Sequence, residues 1–209
     1  MKTKDKLKIK IKTKQVHELI LQALEHELGG VKIYEAAIGC AVNADLKKEW
    51  TKYLAETKTH VKVLEEVCEG LNISKKEETP GRTVVRHNGN ALVEAMTMAL
   101  ASGTPEAAEL VACECVVLAE TKDHLNWTLI GKCAQNLDGA DGEVLQKAYD
   151  QIEDQEDEHL YHTKGWCREL WVHSLGIPAV LPPPEEKQKV KTAMAAARAE
   201  QMAELVRNG

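Results

Sequence analysis

Glu156-Asp157-Glu158-His159 lies in a stretch, residues 143–172, where Leu145, Ala148, Ile152, His159, Trp166 and Leu170 recur at spacings of three, four or seven. That recurrence draws one stripe along a helix. On a helical wheel His159 falls at the centre of the stripe and Glu156 about 60° to one side. The chain therefore puts an imidazole and a carboxylate, three residues apart, on the face that must be buried. A carboxylate taken out of water alone loses several kcal/mol of hydration, so it needs a counter-charge or a proton. The rest of the fold has to supply one.

Other segments carry the same helical period. Charged residues make up 29% of the chain, aromatics only 4%, and Phe is absent, so the core must come from Leu, Val, Ile, Ala and Met. These features point to an all-α class. A length of 209 residues fits one domain with extensions. The expected division is a basic arm over 1–14, a helical bundle over 15–175, and a Pro-rich linker with a C-terminal helix over 176–209. No run of eighteen apolar residues exists and no apolar stretch follows the Lys-rich N-terminus, so we expect a soluble cytoplasmic protein with no membrane contact. Cys40, Cys68, Cys113, Cys115, Cys133 and Cys167 sit inside helical patterns without CxxC pairs, which fits buried thiols in a reducing compartment. In the arm, seven lysines against one aspartate give +6, leaving −12 for the remainder of a chain whose net charge is −6. With no aromatic or Arg interleaved and an acidic body behind it, the arm reads as a solvated tail and not a nucleic-acid contact.

In order, residues 15–42 form a helix with Val16, Ile20, Val31, Tyr34, Ile38 and Ala41 on its stripe and Glu27 at the angular centre. Glu25 points to the opposite side. Gly29-Gly30 weakens the helix by about a kcal/mol per Gly, and permits either a close helix approach or a bulge. After a turn at 43–45, residues 46–71 place Trp50, Tyr53, Thr57, His60, Leu64, Val67 and Leu71 on one face, with Glu56 flanking it. Residues 72–90 lose periodicity and read as a loop, followed by a short helix over 91–101 capped by Asn90. Thr104-Pro105-Glu106 starts a helix running to about 136. Its inward set is Cys113, Val116, Val117, Glu120, His124, Trp127, Gly131 and Ala134, with Glu120 central and Asp123 and His124 to either side. A turn at 137–142 leads into 143–172. Beyond the prolines a helix over 185–207 has Val190, Met194, Ala197 and Leu205 as a thin stripe. If the second and third long helices run parallel, 72–104 must cross the length of the bundle.

Glu27, Tyr34, Ala41 and Asn43 recur as Glu120, Trp127, Ala134 and Asn136, each 93 positions on, as in 120 − 27. One constant offset points to a duplicated helix pair. Glu27, Glu56, Glu120 and Glu156 each lie near the midpoint of their helices, and in an antiparallel bundle midpoints share one layer. Four carboxylates with His60 and His159 would meet in the core, and two divalent cations would neutralise them. Carboxylate and imidazole are ligand types suited to non-haem iron or manganese. Two other readings stand beside this: a metal-free helical interaction protein whose acids are satisfied by the histidines, and metal storage or sensing without turnover.

The pattern resembles the ferritin-like di-iron carboxylate superfamily, nearest to rubrerythrins and small stress-associated ferritin-like bundles. That family places a Glu on each of two helices and a Glu-x-x-His on each of the other two. Glu156-Asp-Glu-His159 matches the motif, and Glu27 with Tyr34 resembles the family's first helix; Glu56-Thr-Lys-Thr-His60 departs from it with a spacing of four. The resemblance implies an antiparallel four-helix bundle of two hairpins joined by a long crossover. It implies two iron ions (or manganese, or one of each) on Glu27, Glu56, His60, Glu120, His124, Glu156 and His159, with Asp123 as the alternative to His124 and Glu158/His162 as the alternative to Glu156/His159. The implied chemistry is that of an oxidoreductase of peroxidase or ferroxidase type acting on O2, peroxide or Fe(II). No rubredoxin-type cysteine pairs follow, so an external electron donor is implied, and a homodimer is expected.

Overall fold

The computed structural model describes residues 11–188 and 190–209, so most of the basic arm lies outside the described residues. The described residues form helices α1 (Thr13–Cys40), α2 (Ala44–Gly70), α3 (Pro80–Ser102), α4 (Pro105–Ala134), α5 (Ala140–Ser174), α6 (Pro184–Gln188) and α7 (Ala193–Asn208), with no strand among them. The Asn43 side chain accepts from the backbone N–H groups of Asp45 and Leu46 at 3.0 and 3.2 Å, which starts α2 only three residues after α1 ends. The second tight turn passes through Gly139 at φ +76°, and a Cβ at Gly142 would stand 2.2 Å from the Leu137 carbonyl oxygen. Two antiparallel hairpins result, α1–α2 and α4–α5.

Four helices close a ring, α1 on α2, α2 on α5, α5 on α4 and α4 on α1, with α2 and α4 on one diagonal. Side-chain pairs fix the directions. Glu27 meets Trp127 while Tyr34 meets Glu120, so α1 and α4 are antiparallel. His60 meets Glu156, Glu56 meets His159 and Glu49 meets Trp166, so α2 and α5 are too. Since α1 and α2 also run oppositely, α2 and α4 are parallel, and the chain between them must cross the ring's full length. It does so as a helix, not as the expected loop with a short helix. Thr79 caps α3 by accepting from Arg82 N at 3.1 Å, Pro80 occupies the first turn, and 23 residues span about 35 Å. His87-Asn88-Gly89, a poor helix former, is held by packing: a Cβ at Gly29 would lie 3.8 Å from the Gly89 Cα. Of the two roles open to Gly29-Gly30, close approach is the one observed.

The covering helix changes the standing of Glu25. It faces away from the ring's interior, yet it is only 7% exposed because α3 lies over it. Arg82 Nε and Arg86 Nε each donate to it at 2.7 Å. Burial alone would raise the Glu25 pKa, but the two guanidinium groups prevail and lower it. The C-terminal region also differs from expectation. The helix is broken into α6 and α7, and Thr192 caps α7 by accepting from Ala195 N at 3.2 Å. The docked face of α7 is Ala199 and Ala203, while Met194, Ala197 and Leu205 are exposed. Small residues let the backbone approach closely, which the larger apolar stripe would not.

Two apolar clusters fill the ring, one around Ile20, Leu64, Ile130, Leu145 and Ile152, the other around Ile33, Trp50, Cys113, Val116 and Trp166. The predicted face of α2 is buried throughout, from Trp50 to Leu71. Replacing Glu25 by Ala should leave Arg82 buried without its counter-charge and cost about 3 kcal/mol of stability, read as a lower urea midpoint. A loss below about 1 kcal/mol, the range of an exposed pair, would contradict this anchoring of α3.

Candidate metal centre

Between the two apolar clusters lies a buried polar layer. α1 contributes Glu27, α2 His60, α4 Glu120 and Asp123, and α5 Glu156 and His159, all at most 5% exposed. His60 Nδ1 stands 3.3 Å from Glu27 Oε1 and 3.0 Å from Glu156 Oε1. His159 Nδ1 stands 3.6 Å from Glu120 Oε2 and 3.9 Å from Glu156 Oε1. Two triads result, Glu27–His60–Glu156 and Glu120–Glu156–His159, each with its ligand atoms within 4.8 Å of one another and Glu156 common to both. The two imidazoles stack with centroids 5.6 Å apart.

An approximate two-fold relation organises the layer. Tyr34 Oη donates to Glu120 at 2.8 Å, and its counterpart Trp127 Nε1 donates to Glu27 at 2.9 Å. Each aromatic thus holds the glutamate of the other hairpin. The histidines are held alike, each presenting Nδ1 inward. His60 Nε2 meets Gln155 Oε1 at 2.8 Å and His159 Nε2 meets Glu56 Oε2 at 3.0 Å. Glu56 and Gln155 are 99 positions apart, as are His60 and His159 (159 − 60) and Thr57 and Glu156. An acceptor on Nε2 places the ring proton there and leaves Nδ1 free as a ligand, the arrangement found around metal-bound imidazoles.

The chain matches no family model, no curated protein and no solved structure. What the layer can do is therefore read from its own atoms. Glu27 Oε2, His60 Nδ1, Glu120 Oε2, Asp123 Oδ1 and both Glu156 oxygens are buried and make no well-formed hydrogen bond among the described residues, although His60 Nδ1, Glu120 Oε2 and Glu156 Oε1 take part in the ion-pair contacts of the two triads. Orphaned buried polar atoms are rare because each costs roughly 1–3 kcal/mol. Here they converge from four helices, and oxygen and imidazole nitrogen donors of this kind fit iron, manganese or zinc.

The electrostatics show the strain of closing this layer with protons alone. Burial opposes the charge of His159, but the carboxylates of Glu120 and Glu56 beside it outweigh that and raise its pKa to about 9. His60 is raised well above its ordinary value, burial being overcome by Glu27 and Glu156. Burial would push Glu120 and Glu56 up, but His159 beside them lowers both. Glu156 is pushed up to about 7, first by burial and then by Glu27 and Glu120, with His60 opposing. Asp123 is raised well above the usual carboxylate range by burial and by Glu156, Glu27 and Glu120.

Of the residues singled out in the sequence, Glu27, His60, Glu120, Glu156 and His159 are brought together. Glu56 stands one step outside, holding the outer nitrogen of His159, its side chain 20% exposed. His124 is not brought in. Its side chain is 30% exposed and pairs through Nε2 with Asp157 at 2.8 Å, and Asp123 is buried in its place. The covered arc of α4, which packs on α1, α3 and α5, is turned toward Ala119, Asp123, Asn126 and Ile130, all buried, while Val117 and His124 of the expected face are only half-buried. Gln155 escaped the sequence reading, although its relation to Glu56 at the offset that links the two histidines would have revealed it. Of the alternative pair, His162 is buried away from the two triads, and Glu158 pairs with Lys52 at 2.7 Å at the surface.

For protein freed of metal by a chelator, the signs of these shifts predict a pH profile. His159, raised from 6.5 to about 9, contributes stability that is present in full below pH 6.5 and lost as pH rises through about 9. Glu156, raised from 4.5 to about 7, favours the folded state while protonated, a contribution lost between those values. Melting temperature should therefore fall steadily from about pH 5 to about pH 9. A profile that is flat or rising over this window would contradict the assignment.

Proposed function

We propose that this chain is a ferritin-like four-helix bundle whose polar layer holds a dinuclear non-haem metal centre, most simply iron, for redox chemistry on O2, peroxide or Fe(II). The single observation that carries the proposal is the convergence of two His–carboxylate triads on a shared, buried Glu156. One imidazole and one terminal carboxylate are available to each ion, Glu27 with His60 and Glu120 with His159, and Glu156 lies between them. When bound, such a pair of ions supplies Lewis acidity and, for iron or manganese, one-electron redox steps.

The chain's own residues position the ligands and manage protons. Tyr34 and Trp127 donate to Glu120 and Glu27, which orients those carboxylates and favours their charged forms. Glu56 and Gln155 set the tautomers of His159 and His60. Asp123, buried among the acids, has its pKa raised well above the usual carboxylate range by burial and by Glu156, Glu27 and Glu120, which favours its protonated form beside the layer. Access favours small oxidants. A cleft of about 40 Å³ lined by His124, Tyr149, Glu153 and Asp157 reaches Glu156, which is room for little more than a water-sized molecule. The sequence holds no CxxC pair of the rubredoxin type, so electrons for repeated turnover with peroxide would come from a separate donor.

Oxygen uptake by protein loaded anaerobically with Fe(II) tests the proposal. Wild type should consume O2 in proportion to protein, and Glu156→Gln should lower the rate by at least about tenfold because both triads lose a shared ligand. His124→Ala should stay within about twofold. Fe(II) binding without O2 or peroxide consumption would instead indicate storage or sensing and would contradict the redox assignment.

A further inference from the structure

One turn beyond His159, α5 buries a second imidazole that the central layer does not use. His162 is 4% exposed, its Nε2 has no partner among the described residues, and its Nδ1 points into a pair of carboxylates. Nδ1 lies 3.2 Å from Glu49 Oε1 and 3.5 Å from Glu186 Oε1, with Tyr53 Oη at 3.1 Å. Trp166 Nε1 donates to both acids, to Glu49 Oε2 at 2.9 Å and Glu186 Oε1 at 2.6 Å, and Tyr53 Oη donates to Glu49.

The third member of this cluster comes from far along the chain, and a built strap places it there. Arg168 donates to both oxygens of Glu185 at 2.5 and 3.1 Å. Glu169 accepts from Arg207 at 2.8 and 2.7 Å and from Val180 N at 2.9 Å. α5 carries Gly165 where the strap crosses, and a Cβ there would stand 2.8 Å from the Glu185 carboxyl. The strap thus lays α6 against α5 and sets Glu186 opposite Glu49.

We infer that Glu49, His162 and Glu186 form a second, outer site for one divalent first-row transition-metal ion. Donors about 2.1 Å from a common ion stand about 3.0–3.4 Å apart at octahedral or tetrahedral angles, close to the separations from His162 Nδ1. One imidazole with two carboxylates is a donor set for Mn, Fe, Co or Zn. Without a cation the two acids hold one proton between them: Glu186 is pushed up to about 9 by burial and by Glu49. A cavity of about 440 Å³, flanked by Asp45, Lys48, Lys52 and Glu158, opens onto the cluster and provides an entry path. Tyr53 separates it from the central layer, its ring 4.1 Å from that of His159. The site stands independently of the dinuclear proposal.

The test is anaerobic titration of the chelator-treated full chain with Co(II), counting bound ions by equilibrium dialysis and following the ligand-field absorption. Glu186→Gln and Glu49→Gln, on separate elements, should each bind one ion fewer per chain than wild type, with melting in chelator confirming that they fold. Glu156→Gln should keep the outer ion and its spectrum. If the central layer binds no metal, wild type should bind one ion and Glu186→Gln none, so the two proposals fail separately. Folded Glu186→Gln or Glu49→Gln protein that binds as many ions as wild type would overturn the outer site and leave a proton-sharing carboxylate pair only.

Discussion

A layer of buried carboxylates across an otherwise apolar helix ring is the constraint on which the rest of the structure depends. Glu27, Glu120, Asp123 and Glu156 are sealed between two hydrophobic clusters. Two imidazoles cannot balance that many ionised acids together with Glu56, so protons must be retained or cations taken up. Long helices bring the acids to one depth, tight turns at Asn43 and Gly139 fix the register of each hairpin, and aromatic donors hold the carboxylates in place. The helical crossover follows from the parallel direction of α2 and α4, and buried Glu25 pins it to α1.

The approximate two-fold relation between the hairpins accounts for much of this order, and its departures account for the polarity of the site. Glu27 with Tyr34 and Glu120 with Trp127 exchange hydrogen bonds across the two-fold relation, and His60 and His159 use the same nitrogen inward. Where one half has Glu156 and Asp123, the other has Thr57 and Gly30, packed so that a Cβ on Gly30 would meet the Thr57 methyl at 3.3 Å. One side of the layer is therefore acidic and the other apolar. Under the proposed dinuclear reading Glu156 would be the carboxylate available to both ions, and Asp123, its pKa raised by burial and the neighbouring acids, would lie beside it.

The parts legible in the sequence were those whose information is local. The face of α2 from Trp50 to Leu71 and the central positions of Glu27, Glu120 and His159 follow from helical period alone, whereas the parallel course of α2 and α4 stands in the sequence only as a condition for a long crossover and is fixed by the side-chain pairs. What escaped depended on contacts made from elsewhere. α3 contains a segment of weak helix propensity that becomes helical because Gly89 packs on Gly29 and its arginines find Glu25. The phase of α4 shifted because three helices cover it, exchanging Asp123 for His124 at the layer. His162, named in the sequence only as an alternative ligand, is covered by Glu49 and Tyr53 of α2 and by the strap carrying Glu186.

The most direct measurement is anomalous X-ray scattering at the iron edge from crystals loaded anaerobically with Fe(II). The account predicts two peaks in the central layer about 3.5–4 Å apart, one between Glu27, His60 and Glu156 and the other between Glu120, Glu156 and His159. A layer with no anomalous peak under saturating Fe(II), its carboxylates paired only with protons and the two histidines, would contradict it.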